Sequence, residues 1–269
     1  MGNYVERHQS WENPFIDAPL IYEHMTELRD AGAPRYRYGY GAAAAESKYE
    51  YIPVIWGPSY ATGLSVSGRL GKFDYAAELK NAALSSRPET WDASDHGFAY
   101  PTLSGRLGYR PDMAWALGVS ASEGAYLTDQ ALAGLPRGTG LGDFKQYVLG
   151  QDISYARDHW QVWAEVYEAR FDVPNVGNAD TLGYYLETKY KFTPNLFGAL
   201  RWNQQFFDDV PNGYGGTQPW GHDIWRIDTA MTYRFTPRSQ LKLQYSLQHE
   251  DRAEVAVSHL VAAQFTLRF

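Results

Sequence analysis

The feature that most constrains the fold is a regular alternation of apolar and polar residues, one after the other. It is clearest near the C-terminus, where the odd positions from Leu241 to Leu247 are apolar and the even positions are polar. The segments from Trp225 to Phe235 and from Val255 to Phe269 alternate in the same way. Because successive side chains of a β-strand point to opposite faces, this pattern predicts strands with one apolar and one polar face.

Eleven strands are predicted after residue 60 by this criterion. Those near 98–122 and 143–172 alternate less regularly than the others, and Gln151, for example, falls on an apolar face. Many of the strands are about ten or more residues long, whereas about five or six is typical of a soluble sheet. The predicted strands are at about 62–71, 73–80, 98–109, 113–122, 143–156, 159–172, 182–192, 196–206, 225–235, 241–247 and 255–269.

The connections between these strands alternate between short and long. Proline, glycine, asparagine and aspartate at these places favour turns. Short turns are predicted at 71–72, 110–112, 157–158, 193–195 and 236–238, and longer polar loops near 84–97, 123–142, 173–180, 209–222 and 250–254. Such alternation predicts an antiparallel up-and-down sheet with its short turns on one side.

Composition excludes several other classes of protein. The longest run of purely apolar residues is Met113 to Leu117, whereas a transmembrane helix needs about 20 mostly apolar residues. The chain contains no cysteine, which excludes disulfides, thiolate catalysis and cysteine-ligated zinc. A net charge of −7 argues against a nucleic-acid partner. No cofactor and no metal site is expected.

The predicted strands suit a membrane barrel better than a soluble one. Their polar faces carry large charged groups, which fits a barrel with lipid outside and water inside. In lipid the backbone must satisfy its own hydrogen bonds, so only helices and closed barrels span a bilayer. Aromatic residues next to the short turns fit the interfacial girdles of such barrels: Tyr109, Tyr155, Trp160, Tyr190, Phe192, Tyr233 and Phe235. The alternative is a soluble barrel or sandwich that buries its apolar faces.

The last strand adds a second signal. The chain ends in Gln264-Phe265-Thr266-Leu267-Arg268-Phe269, in which Phe265, Leu267 and Phe269 alternate with polar residues. This segment resembles the C-terminal targeting signal of Gram-negative outer-membrane β-barrel proteins, and about residues 60–269 resemble porins in the broad sense. The resemblance implies insertion by the barrel-assembly machinery into the bacterial outer membrane, among lipid and lipopolysaccharide. It also implies periplasmic short turns and, as in many porins, a homotrimer.

The strand count leaves two alternatives open. Counted back from a periplasmic C-terminus, the strand at 62–71 runs toward the periplasm, so an earlier segment must run toward the cell exterior. Single-chain bacterial barrels also usually have an even number of strands. The chain is therefore either a barrel of about 12 strands with a short first strand, or part of a barrel of about 16 that lacks its N-terminal strands. No signal peptide precedes Asn3.

Residues 1–269 are expected to form a single barrel domain with an insertion at 9–60. This insertion does not alternate like a spanning strand and is expected to be a long loop with a short helix at about 19–29. It is predicted to fold into the lumen, and the alternative is a loop that covers the mouth. The charged residues that would then form a constriction are Glu23, Glu27, Arg29, Arg35 and Arg37.

The predicted inner face favours a channel for passive diffusion of small hydrophilic solutes or ions. Basic residues outnumber acidic ones there, which predicts a mild anion preference. The predicted pore-lining residues are Arg69, Lys80, Arg106, Glu187, Lys189, Arg201, Arg226, Asp228 and Lys242. The alternative is that these charges only pair with one another, as Glu187 with Arg201 across one hairpin and Arg226 with Glu250 across another.

An outer-membrane barrel enzyme of the lipase or protease type is the main competing function. Ser258 and His259 are adjacent, so they point to opposite faces of their strand and cannot act as a nucleophile–base pair. No Gly-x-Ser-x-Gly, His-Glu-x-x-His or phosphate-loop motif occurs. The protein is therefore predicted not to be an enzyme. A closed structural or adhesive barrel is the remaining alternative.

Overall fold

The computed structural model describes residues 25–29, 51–53, 62–81, 83–84, 98–127, 129–211, 214–221, 223–251 and 257–268. They form fifteen strands and two short 3₁₀ helices, at Asp129–Gly134 and Leu141–Asp143. No helix among them is long and apolar enough to cross a membrane. The strands are β1 (Met25–Arg29), β2 (Tyr51–Pro53), β3 (Gly63–Leu70), β4 (Phe73–Lys80), β5 (Thr102–Tyr109), β6 (Trp115–Ala125), β7 (Lys145–Arg157), β8 (Trp160–Val173), β9 (Gly177–Lys191), β10 (Leu196–Phe207), β11 (Asp209–Pro211), β12 (Thr217–Pro219), β13 (Ile224–Thr236), β14 (Ser239–Glu250) and β15 (Val257–Leu267).

Eleven strands form one antiparallel sheet, in the order β15-β14-β13-β10-β9-β8-β7-β6-β5-β4-β3. These are the eleven strands that the alternation predicts, joined as successive hairpins. Strands β1 and β2 pair separately, as do β11 and β12. Within the described part of the chain, nothing pairs with the outer edges of β3 and β15. Because directions alternate along the sheet, these two end strands run the same way.

The sheet exposes its apolar face and buries its polar face. Leu64 and Leu107 on the apolar face are 78% and 57% exposed, whereas Arg201 and Asp228 on the polar face are both 5% exposed. A soluble sandwich would show the opposite arrangement, because apolar side chains are buried when the surrounding solvent is water. The all-β class and the membrane-barrel orientation predicted from the sequence are confirmed.

Aromatic rings form a belt around the outer face at the short-turn end. Trp160 packs on Tyr190 at a centroid distance of 4.6 Å, and Tyr190 on Phe192 at 5.1 Å. The same end holds three further ring pairs: Phe73 with Tyr109, Trp115 with Tyr155, and Tyr233 with Phe235. All the aromatic residues predicted to flank the short turns lie in this belt, which matches the interfacial girdle of a membrane barrel.

The predicted long loop at 173–180 is wrong. Strand β8 continues to Val173, β9 begins at Gly177, and only three residues turn between them. Asn175 and Gly177 have φ angles of 63° and 105°, the left-handed conformations that a tight turn needs. The polar composition of this segment reflects strands whose outer face meets water, which composition alone does not distinguish from a loop.

The helix expected at about 19–29 is also wrong over its last part. Met25–Arg29 is strand β1, and its register pairs Met25 with Pro53 and Arg29 with Tyr51. A helix this short is marginal by itself, so pairing with a distant segment can replace it. The remainder of the predicted helix lies outside the described residues.

The apolar core lies at the long-loop end, on the inner side of the sheet. The inner residues of upper β8, among them Phe171, pack against the loop between β6 and β7 (residues 126–144) and against the connection that carries β11 and β12. We call the four buried aromatic residues at its centre the mouth cluster: Tyr126, Phe171, Phe207 and Trp220. At the long-loop end, these loops therefore pack against the inner face of strands β7 to β10.

Candidate functional site

The inner face of the sheet carries two groups of paired charges. The first joins Arg106 on β5 to Asp152 on β7, with Arg106 Nη2 donating to Asp152 Oδ1 at 2.9 Å and Nη1 donating to Oδ2. The Arg106 side chain crosses the intervening strand β6 at Gly118. A Cβ atom at Gly118 would lie 2.1 Å from the guanidinium, so the glycine is what lets the two charges meet.

The second group joins β9, β10 and β13. Arg201 Nε donates to Glu187 Oε2 at 2.7 Å, which confirms the pairing predicted from the hairpin at Pro194. Arg201 Nη1 also lies 3.9 Å from Asp228 Oδ2, and Asn203 Nδ2 donates to the same oxygen at 3.0 Å. Arg201, Asn203 and Asp228 are buried and Glu187 is partly buried, so each of the charges depends on a partner to offset its lost hydration.

The predicted pairing of Arg226 with Glu250 stays a prediction, because the side chain of Glu250 is not described. Arg226 lies opposite Gln248 in the register, and Glu250 lies opposite Ile224, so the two residues are diagonal neighbours across β13 and β14. Among the described side chains, Arg226 Nε donates to Asp228 Oδ2 on its own strand at 3.1 Å.

The other predicted pore-lining residues also lie on the inner face. Lys80 is 4% exposed, with its Nζ 3.9 Å from Glu78. Lys189 places its Nζ 5.1 Å from the centre of the Phe197 ring, a cation–π geometry. Lys242 is buried, and the exposed Arg69 donates to the carbonyl of Gly71 at 2.9 Å. The structure thus puts all nine on one face without bringing them into a single cluster.

A buried acid that the alternation does not reveal is Glu165 on β8, which is 1% exposed. It faces inward, with Asp152 and Tyr185 as its register neighbours on β7 and β9. Counting alternate positions from the outward Trp160 would have placed it inside. The irregular pattern of β8 hid that signal.

The predicted constriction lies mostly outside the described residues. Glu27 and Arg29 belong to strand β1, whereas Glu23, Arg35 and Arg37 are not described. In the predicted targeting signal, Phe265 and Leu267 lie on the outer face of β15 and are 63% and 53% exposed, and Phe269 is not described. Entry of residues 9–60 into the lumen stays a prediction.

The mouth cluster closes one side of the long-loop end. The Tyr126 and Phe171 rings meet edge to face at 5.0 Å, and Trp220 packs on Phe207 at 4.9 Å. Trp220 Nε1 donates to the Asp180 carbonyl at 2.7 Å. Tyr126 donates to the Asp172 carbonyl at 3.1 Å, and burial raises the pKa of its hydroxyl far above the ordinary value. The sequence does not predict this packing, because the loop shows no alternation of apolar and polar residues.

The described histidines have structural contacts. His159 Nδ1 lies 2.5 Å from the Lys191 carbonyl at a short turn. His249 stacks on Trp225 at a ring distance of 5.5 Å, and His259 Nδ1 lies 2.8 Å from the Tyr245 hydroxyl on the outer face. Among the described residues, no group of three or more acidic or histidine side chains is arranged to hold a metal ion.

Several solved structures with a similar arrangement of strands are porins or outer-membrane channels. The anion-selective porin from Comamonas acidovorans matches with a TM-score of 0.52 and 12% identity, over 90% of this chain and 61% of that one. OmpF of Salmonella typhi, in complex with daunomycin, matches with 0.52 and 12%, over 82% of this chain and 68% of that one. The channel DcaP of Acinetobacter baumannii matches with 0.51 and 10%, over 80% and 62%.

The fold is therefore that of a porin-like outer-membrane β-barrel. The chain spans about three fifths of the length of the Comamonas porin. No protein-family model matches the sequence, and no curated protein sequence is significantly similar to it.

Proposed function

We propose that this protein is an outer-membrane channel for the passive diffusion of small hydrophilic solutes or ions. The observation that supports the proposal most directly is the sidedness of the sheet, whose apolar face is exposed while charged and amide side chains face inward. A bilayer needs an apolar outer band. A wall of charged side chains on the other side of the same strands suits a hydrated interior rather than a packed apolar core.

A charge preference follows from the inner wall. Three of its acids, Asp152, Glu187 and Asp228, accept hydrogen bonds from arginines, so these pairs contribute little net field. Lys189, by contrast, lies over an aromatic ring and forms no salt bridge with a described residue. Because basic side chains outnumber acidic ones on the inner strands, the channel prefers anions mildly.

The two alternative functions, a barrel enzyme and a closed structural barrel, require different arrangements of residues. A barrel enzyme needs a nucleophile or base near its substrate, but the described histidines lie at a short turn or on the outer face. A closed structural barrel is favoured by one observation, the mouth cluster, which packs one side of the long-loop end. Conductance distinguishes a closed barrel from an open one.

The test is reconstitution of the purified chain into planar bilayers and liposomes. A channel gives discrete conductance steps and swelling that declines as the solute becomes larger. Protein that is folded and inserted but neither conducts nor causes swelling would refute the channel. Hydrolysis of lipid or peptide without conductance would favour the enzyme.

The charge preference has its own test, the reversal potential in a salt gradient. Lys189→Glu should move this potential toward cation selectivity, because the substitution reverses one charge on the inner wall. Arg157→Glu makes a similar change at an exposed short turn and serves as the control. Cation selectivity of the unmodified protein would refute the preference while leaving the channel intact.

In this function the protein lies in the bacterial outer membrane, surrounded by lipid and lipopolysaccharide and inserted by the barrel-assembly machinery. A homotrimer is the assembly expected for it. The support is the porin-like fold and the outward Phe265 and Leu267 of the last strand. Cross-linking in isolated outer membranes should yield a three-chain species, and a purely monomeric product would count against the trimer.

A further inference from the structure

A groove with a volume of about 1150 Å³ lies on the outer face of strands β4 to β9, toward the long-loop end. Its floor is a cross-strand row of small residues, Ala77, Gly105 and Ala121, which are register neighbours on β4, β5 and β6. Leu103 and Leu149 stand beside this row and are 62% and 45% exposed. We call this cavity the outer groove. Its lower part has the size and polarity of a site for an alkyl chain.

Close contacts within the sheet do not force the small residues at the floor of the outer groove. A Cβ atom added at Gly105 would have its nearest contact at 3.7 Å, with the carbonyl of Ala76. The glycine at this position therefore leaves an open depression on the outside. Larger side chains would fit there without disturbing the strands, which makes the groove testable by substitution.

The upper rim of the groove is charged and carries an acidic surplus. Arg170 forms a two-bond pair with Asp180, with both N···O distances at 2.7 Å, and Lys145 pairs with Glu123. Three further carboxylates line the groove and form no salt bridge with a described residue: Glu168, Asp172 and Asp208. Five carboxylates and two cations therefore surround the rim, which leaves it with a net surplus of three negative charges.

We propose that the outer groove binds an amphiphile with a single alkyl chain and a positively charged headgroup. The chain lies along the row of small residues between Leu103 and Leu149, where apolar surface is available to cover it. The headgroup lies at the rim beside Asp172, where opposite charges attract and the adjacent hydrocarbon weakens dielectric screening. An anionic headgroup would meet the surplus carboxylates and be repelled.

The experiment uses the full chain in a nonionic detergent and native mass spectrometry, with dodecyltrimethylammonium as the probe. Dodecylphosphocholine and dodecyl sulfate carry the same alkyl chain and serve as headgroup controls. The expected result is one saturable cationic ligand per chain, bound at least about fivefold more tightly than either control, as a few partly exposed charge contacts allow. Equal binding of all three headgroups, tighter binding of the anionic one, or no binding would overturn the proposal.

Two sets of variants separate the chain site from the headgroup site. Gly105→Leu combined with Ala121→Leu fills the floor and should abolish saturable binding, whereas Ala263→Leu, on the outer face of β15, should not change it. Replacing the rim acids (Glu168→Gln, Asp172→Asn and Asp208→Asn together) should reduce binding of the cationic probe to the level of the zwitterionic control. Retained binding in the filled variant would contradict the proposal.

Folding of each variant is checked by its far-ultraviolet circular dichroism. If the filled variant does not fold, the rim variant decides the matter by its headgroup preference alone. The outer groove lies on the side of the sheet opposite the proposed channel, so conductance should be unchanged in every variant. A negative result here therefore leaves the channel proposal untouched.

Discussion

The two halves of strand β8 differ in which face is apolar: the outer face in the lower half and the inner face in the upper half. In the lower half, next to the short turn, Trp160 and Val166 face outward while Glu165 faces inward. In the upper half the outward residues are charged, as Arg170 is, and the inward ones are apolar and buried, as Phe171 is at 0% exposure. The reversal takes place at Tyr167 and Glu168, within a single uninterrupted strand.

This reversal shows that the surroundings, and not the strand, decide which face is apolar. Below Glu168 the outer face meets hydrocarbon, so it is apolar and the inside carries the polar network. Above Glu168 the outer face meets water, so charged groups such as the Arg170–Asp180 pair are tolerated there. The inner face then takes the role of an ordinary core beneath the mouth loops. Glu168 thus marks the upper limit of the membrane band on this side.

The largest expected effect comes from removing the core of the upper half. Phe171→Ala takes away a fully buried ring that packs on Tyr126 and Trp220. The loss should be about 3–5 kcal/mol of stability, and the loop between β6 and β7 should become sensitive to proteolysis. Urea titration in lipid vesicles and limited proteolysis measure the two effects.

Val166→Ala is the matched control for Phe171→Ala. Val166 lies on the same strand but faces outward in the lower half, where lipid can fill the space left by the removed methyl groups. Its loss should change stability little. An effect as large as that of Phe171→Ala would contradict the assignment of this face to lipid.

The second prediction places a charge in the membrane band. Ala164→Arg lies on the outer face midway between Trp160 and Glu168, and should cost about 2–4 kcal/mol if that position is near the bilayer centre. Asn178→Arg puts the same side chain on the outer face above Glu168 and should cost about 1 kcal/mol or less. Urea titrations in vesicles compare them, and equal costs would refute the boundary at Glu168.

The third prediction concerns the pH dependence of the mouth cluster. Burial raises the pKa of Tyr126, so its neutral form is favoured when folded. Its contribution is complete below the ordinary tyrosine pKa of about 10 and is lost as the pH rises above that value, because the unfolded tyrosine then ionises. Tyr126→Phe should cost about 1 kcal/mol at neutral pH through its lost hydrogen bond.

The same variant should also reduce the alkaline loss of stability. Near-ultraviolet circular dichroism between pH 8 and 11, taken as the difference between the two proteins, separates Tyr126 from the other tyrosines. Parallel curves for the variant and the unmodified protein would show that Tyr126 is accessible to water when folded.

The smallest expected effect is that of the exposed ion pair of the upper half. Arg170→Gln removes both bonds to Asp180, yet should cost less than about 1 kcal/mol because water and salt screen exposed charges. The inner Arg201→Gln, which deprives the partly buried Glu187 and the buried Asp228 of this arginine, should cost several times more. Comparable values, measured again in vesicles, would mean that the two sites are equally hydrated.

The sequence predicts the environment of a residue correctly where that environment depends only on the residue's own strand or hairpin. The alternation located all eleven strands of the sheet, and a hairpin geometry counted from Pro194 was enough to pair Glu187 with Arg201. It failed at 173–180, where charged strand residues above the membrane band resemble a polar loop. It also failed for Glu165, because β8 changes polarity midway and so blurs its own pattern.

The amino-acid sequence by itself therefore determined the eleven strands of the large sheet, their order and which face meets lipid. The physical reason is that pleating, short turns and an apolar band are local properties that a single strand already displays. Only the tertiary structure decided how the long-loop end is packed, that Arg106 reaches Asp152 across Gly118, and that a groove opens on the outer wall. Those features join residues from three or more strands or loops, and such contacts depend on sheet curvature and loop paths that no local pattern encodes.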